Sequence, residues 1–192
     1  EGPSPLPALI AGAELLARAG ADFLTIPCVT AHAFFDDLQR AVRVPILHLI
    51  GETAAWLRRE RPALHRFGLL ATTGTVQCRL FETQFEPHGL AIATPESAVQ
   101  TSQVMEAIYA VKHGEALERP RRLIREAAAH LQQLGAEAVV AGCTEVPLIL
   151  QDGDLPIPVI DPTTILAQAA VRRALSRGPQ FAPSQRCYKD RG

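Results

Sequence analysis

The sequence predicts an α/β fold built on mainly parallel sheets, and three observations carry that prediction. Short runs rich in Val, Ile and Leu alternate with longer stretches of helical period, the pattern of strand–helix units that assemble a parallel sheet. The strand-like runs are continuously apolar instead of alternating, as expected where helices cover both faces. The chain also echoes itself. Residues 18–28 read Arg-Ala-Gly-Ala-Asp-Phe-Leu-Thr-Ile-Pro-Cys, and residues 133–143 read Gln-Leu-Gly-Ala-Glu-Ala-Val-Val-Ala-Gly-Cys. In each, a helix closes on Gly-Ala-acid, a strand follows, and a cysteine stands eight positions after the glycine. Two such units suggest two similar halves facing each other across a cleft.

In chain order, strands are expected over residues 22–27, 44–50, 67–72, 90–94, 138–143 and 159–161. Helices are expected near 6–19, 33–41, 53–59, 76–86, 98–112, 121–134 and 164–175. Gly20, Gly89 and Gly135 each follow a helical run and suit the left-handed position that ends a helix. The tail from Gly178, with two prolines and mixed polar residues, reads as an irregular extension.

Composition narrows the function. Apolar residues make up 47% of the 192, enough for a real core, while aromatics at 5% leave that core to Ala, Val, Leu and Ile. A formal net charge of −1 argues against nucleic acid as a partner. The local cluster of Arg121, Arg122 and Arg125 reads as a solvated helix face. No apolar run reaches the ~20 residues that span a bilayer, and no signal-peptide pattern opens the chain. The four cysteines form no C-x-x-C pair, so zinc is poorly supported and a cytoplasmic home with reduced thiols fits. Neither G-x-G-x-x-G nor a Walker lysine motif is present, and the expectation is of no cofactor and no metal.

In parallel α/β sheets ligands bind beyond the carboxyl ends of the strands. Cys28 and Cys143 both fall at such ends. A helix starting soon after Cys28 would lower its thiol pKa, and Thr30 and Thr144 with nearby amides suit a carboxylate. Cys78, inside a helical run, and Cys187, in the tail, read as filler. Two thiols flanking a cleft suit removal of a proton from one face of a carbon and its return to the other. One sulfur must then be thiolate and the other thiol, and the two titrate as a coupled pair.

Pro27-Cys28-Val29-Thr30-Ala31-His32 resembles the Pro-Cys-Asn-Thr-Ala-His motif of the aspartate/glutamate racemases, which work without pyridoxal phosphate. Gly142-Cys143-Thr144-Glu145 resembles their second motif, and Gly68-Leu69-Leu70-Ala71-Thr72-Thr73-Gly74-Thr75 their central strand and carboxylate-binding turn. Pro158-Val159-Ile160-Asp161-Pro162 is similar to their closing strand. The resemblance implies two similar lobes related by a pseudo-twofold, each a mainly parallel sheet flanked by helices, with the site in the cleft between them. Residues 1–93 would be the first lobe, 94–163 the second, 164–177 a helix returning to the first, and 178–192 a tail. It further implies an amino-acid substrate, a homodimer, and Cys28 and Cys143 as the two acid/base groups. Thr30, Thr73, Thr75 and Thr144 would hold the substrate's carboxylate or amino group, and Lys112 a side-chain carboxylate. His32 would orient the first motif. Glu145 either accepts the substrate ammonium or anchors its loop.

Two departures stand out. Val29 occupies the substrate-facing position of the family's Asn, which removes a polar contact of ~0.5–1.5 kcal/mol. The family's first strands, which precede the stretch matched by Glu1, have no counterpart here, so the first lobe is expected to be N-terminally incomplete and to expose a sheet edge and apolar helix faces. These departures keep open a hydantoin racemase, a maleate isomerase, a malonate-type decarboxylase, or a non-catalytic binding homologue.

Overall fold

The computed structural model describes residues 3–176. The expected tail and Cys187 lie outside that range. Helix α1, Leu6–Arg18, ends in a turn at Gly20 with φ +91°, and β1 follows at Leu24–Thr25. A 3-10 turn, Thr30–Phe34, leads into α2, Phe35–Ala41. Strand β2, Ile46–Leu47, pairs with β1 in parallel through Leu24↔Ile46 and Thr25↔Leu47. Helix α3 spans Leu49–Glu60 and strand β3 spans Arg66–Ala71.

The expected helix over 76–86 is two helices, α4 at Thr73–Gln77 and α5 at Leu80–Phe85. Between them Arg79 takes φ +50°, a left-handed conformation that costs a non-glycine residue about 1–2 kcal/mol and stops a helix. Strand β4, Ala91–Ala93, precedes a continuous helical run. That run comprises α6 at Ser97–Val99, a π segment at Gln100–Met105, and α7 at Glu106–Lys112. Helix α8, Glu118–Gln133, turns at Gly135 into β5, Ala138–Gly142. A 3-10 turn at Val146–Leu148, strand β6 at Val159–Ile160 and helix α9 at Pro162–Ser176 complete the described residues.

Both sheets are parallel: two strands in the order β1–β2, and four in the order β4–β3–β5–β6. Alternate residues of β3 and β5 serve opposite faces, as a strand's two-residue period requires. Phe67, Leu69, Ala71, Ala138 and Val140 pack under α3, α5 and α9. Leu70, Val139 and Ala141 pack under α7 and α8. Helix α8 supplies Pro120, Ile124, Ala127, Ala128 and Leu131, an apolar stripe at helical spacing. Its close approach needs Gly68, where a Cβ would stand 2.8 Å from Leu131 Cβ.

The four-stranded sheet joins β3 and β4, from residues 1–93, to β5 and β6, from residues 94–163. The break between sheets therefore falls between β2 and β3, because β3 hydrogen-bonds to both β4 and β5. Helix α9 packs on α3, where Arg172 stands 3.9 Å from Glu52. Helix α1 buries none of its residues fully and leaves Leu15 and Leu16 61% and 54% exposed.

Candidate active site

Three strands deliver the chemistry-bearing residues to their carboxyl ends. Ala71 of β3 is in register with Gly142 of β5, so Thr72 and Cys143 leave adjacent strands side by side, roughly 4.8 Å apart across the ladder. The loop after β1 is tied to the same edge. Thr30 Oγ1 lies 3.1 Å from Thr72 Oγ1 and 3.0 Å from Thr75 Oγ1, and those two hydroxyls are 3.0 Å apart. Three hydroxyls in mutual contact satisfy one another as donors and acceptors. Thr72 Oγ1 also caps α4 by accepting the Thr75 amide at 3.4 Å. The segment that carries Cys28 is thus clamped to the strand end beside Cys143.

Cys28, Cys78 and Cys143 are free thiols. Cys28 is exposed, and the turn that follows it is the 3-10 turn; the α-helix expected near it begins only at Phe35. Cys78 is exposed at the C-terminal cap of α4, so it fills no helix interior. His32 is buried and holds the Cys28 loop from behind. Its Nε2 accepts the Leu49 amide at 3.1 Å, so Nδ1 carries the proton and donates to the Cys28 carbonyl, also at 3.1 Å. Burial depresses the His32 pKa although the backbone of Cys28 and Val29 raises it, which favours this neutral ring. His32 therefore orients the first motif, as expected.

Cys143 is 8% exposed. Its thiol donates to Glu145 Oε2 at 2.8 Å. Burial, then the bond to Glu145, push it up to about 12. Glu145 Oε2 also accepts the Thr144 hydroxyl at 3.0 Å, and Lys112 Nζ lies 3.9 Å from Oε1. Burial raises the Glu145 carboxyl, but the bonds from Cys143 and Thr144, its own amide and the Lys112 charge together hold it below the usual range. Glu145 is thus tied to both neighbours in its own loop, Cys143 and Thr144.

Val29, expected to face substrate, is 4% exposed and sits in the core with Leu47, Leu49 and Ile50. Thr73 is held by two residues that the sequence reading passed over. Its amide donates to Met105 Sδ at 3.3 Å, and its hydroxyl receives Gln100 Nε2 at 3.4 Å. Gln100, 6% exposed, also donates to the Ala71 carbonyl at 2.9 Å. Gln100 and Met105 are the two ends of the π segment, a distortion frequent at functional sites. A signal was available: Gln100 shares a helical stripe with Val104, Ala107 and Ile108, where a polar residue needs a reason to be buried. Among the described residues no group of three or more His, Cys, Asp or Glu is placed to hold a metal ion. No helix among them is long and apolar enough to cross a membrane.

Residues 1–170 match a family model described as Asp/Glu/Hydantoin racemase. A broad specificity amino-acid racemase of Bacillus subtilis is 28% identical over 169 residues, 88% of this chain and 72% of that protein. The solved aspartate racemase of Picrophilus torridus superposes with a TM-score of 0.78 at 26% identity, covering 90% of this chain and 71% of that one. An aspartate racemase homologue of Pyrococcus horikoshii gives 0.75 at 27%, covering 88% and 74%. With both cysteine motifs at the ends of parallel strands, the chain belongs to the Asp/Glu/hydantoin racemase family.

Proposed function

We propose that the chain racemises an amino acid without pyridoxal phosphate, with Cys28 and Cys143 as its two bases. The observation that supports this reading best is the convergence of both cysteine loops on one sheet edge, through the Ala71↔Gly142 register and the Thr30–Thr72 bond. The substrate's α-carbon would lie between the two sulfurs, in a cleft between the two sheets. For one enantiomer the Cys28 thiolate takes the α-proton, and the Cys143 S–H bond breaks to deliver a proton to the opposite face. The electron pair of that bond stays on sulfur, so the pair ends with its protonation states exchanged. The other enantiomer runs the same steps in reverse.

Thr30, Thr73 and Thr144 line the substrate's carboxylate or amino group in this reading, while Thr75, expected to join them, is fully buried and braces Thr30 from beneath; Lys112 meets the side chain of an acidic substrate. Val29 contributes apolar support beneath the loop. A range wider than acidic amino acids fits equally, since the Bacillus relative is named for broad specificity. A homodimer, on the family resemblance, and a cytoplasmic home, on the cysteine usage, belong to the same reading.

The test is deuterium exchange at Cα of a panel of amino acids in heavy water, read by NMR. Cys28→Ser and Cys143→Ser each replace a thiol with a hydroxyl, which is far harder to ionise. Each variant is expected to lose racemisation and to retain exchange into one enantiomer only, opposite in the two variants. Near-unchanged racemisation by either variant would overturn the mechanism, because one thiol cannot serve both faces of a carbon.

A further inference from the structure

Cys143 leaves the end of β5 almost buried, with its thiol hydrogen directed at Glu145 Oε2, 2.8 Å away. The same oxygen receives the Thr144 hydroxyl, and Lys112, in the last turn of α7, faces the other oxygen at 3.9 Å. Two donors and a neighbouring cation all favour the charged form of a carboxylate. Loss of the thiol proton would then set two negative charges side by side in a site with little water.

We propose that Glu145 is a positioning residue for proton transfer: its carboxylate, held by the Cys143 and Thr144 donors with Lys112 nearby, keeps Cys143 as the protonated member of the cysteine pair. Its part in turnover rests on the two-cysteine reading; the state of the thiol does not. The charged groups acting on the sulfur are Glu145 and Lys112, and the Glu145 backbone amide also donates to it. Removing the carboxylate charge leaves the amide and the lysine, both of which favour thiolate. Removing the lysine leaves the carboxylate unopposed. The two changes therefore push the thiol in opposite directions, which a merely structural role would not do.

The experiment follows the rate at which methyl methanethiosulfonate modifies Cys143, read by mass spectrometry near neutral pH, with exposed Cys78 as internal control. Below its pKa, each unit of downward shift raises the thiolate fraction tenfold. A Brønsted slope of about 0.4–0.5 returns part of that gain, leaving about threefold in rate. In Glu145→Gln, Cys143 is expected to react at least about threefold faster than in the parent chain. In Lys112→Met it is expected to react about threefold slower, with Cys78 unchanged in both. An unchanged or slower rate in Glu145→Gln, or both variants moving in the same direction, overturns the proposal. Should Glu145→Gln fail to fold, Lys112→Met decides alone, and an unchanged or faster rate there overturns it. Rates that move as expected in a chain that exchanges no Cα proton refute the racemase reading and leave the hold of Glu145 on Cys143 standing.

Discussion

Gly142→Ala tests whether the packing beneath β5 sets the position of Cys143. Gly142 ends β5 one residue before the cysteine. An added Cβ would lie 2.6 Å from Leu69 Cδ1, 2.8 Å from Ala71 Cβ and 3.2 Å from Phe81 Cε2. Carbon atoms settle at about 3.5–4.0 Å, so roughly 1 Å of room must open. Leu69 can swing its tip aside, but Ala71 Cβ is fixed to the β3 backbone, and Ala71 is the registered partner of Gly142. The two strand ends must therefore spread where Thr72 and Cys143 emerge.

Overpacking of this kind costs about 1–3 kcal/mol. At about 2–4 °C per kcal/mol for a chain of this size, Tm should fall by about 2–12 °C. Gly68→Ala is the control. Its Cβ would meet Leu131 Cβ at 2.8 Å, so it should destabilise comparably, but it lies three residues before Ala71, about 10 Å from the strand end. Thermal melts followed by circular dichroism should drop in both variants. The modification rate of Cys143 should change only in Gly142→Ala. A Gly142→Ala chain that melts with the parent and keeps its Cys143 rate would refute the reasoning.

Val29→Asn places an amide among Leu47, Leu49 and Ile50. It should lower unfolding stability by about 1–3 kcal/mol in urea titrations, without raising turnover of acidic amino acids. A stable variant with a higher kcat/KM would mean that residue 29 reaches substrate after all. His32 and His48 are both held below the ordinary 6.5, His48 at about 4, burial being the first cause in each. A depressed imidazole binds fewer protons folded than unfolded, so the stability it contributes is full above pH 6.5 and is lost as pH falls toward about 4. The urea midpoint should drop between about pH 7.5 and about pH 5, and less so in a His32→Gln/His48→Gln chain. Equal slopes in the two proteins would rule these histidines out as the cause.

The strands were legible because burial on both faces leaves an unmistakable apolar run: 67–72 and 138–143 were expected, and Arg66–Ala71 and Ala138–Gly142 formed. The positive φ at Gly20, Gly89 and Gly135 was legible for a similar reason, since only glycine takes that conformation without penalty. What failed was non-local. Nothing in residues 66–93 records that β3 would bond to β5 across more than sixty intervening residues, and the expected lobe division at 93 missed it. Arg79 gave no warning either, because a left-handed arginine breaks a helix that its sequence supports.

The candidate site divides along the same line. Cys28, Cys143 and the threonines could be singled out as candidates because they stand at the carboxyl ends of parallel strands, where ligands bind. Their mutual arrangement depended on hydrogen bonds between distant segments, such as Thr30 with Thr72 and Thr75. Val29 shows the opposite error: a position inferred from motif alignment pointed at substrate, whereas its β-branched side chain joined the core. The deeper asymmetry lies between the two sulfurs. The echo in the sequence makes Cys28 and Cys143 look equivalent, but folding leaves one exposed with its carbonyl held by His32, and the other buried against Glu145. In the proposed reaction the two sulfurs must still exchange roles between enantiomers, so this inequality sets only which of them starts protonated. The symmetry breaks two residues beyond Cys143, where Glu145 supplies a carboxylate and the matching position after Cys28 is Thr30.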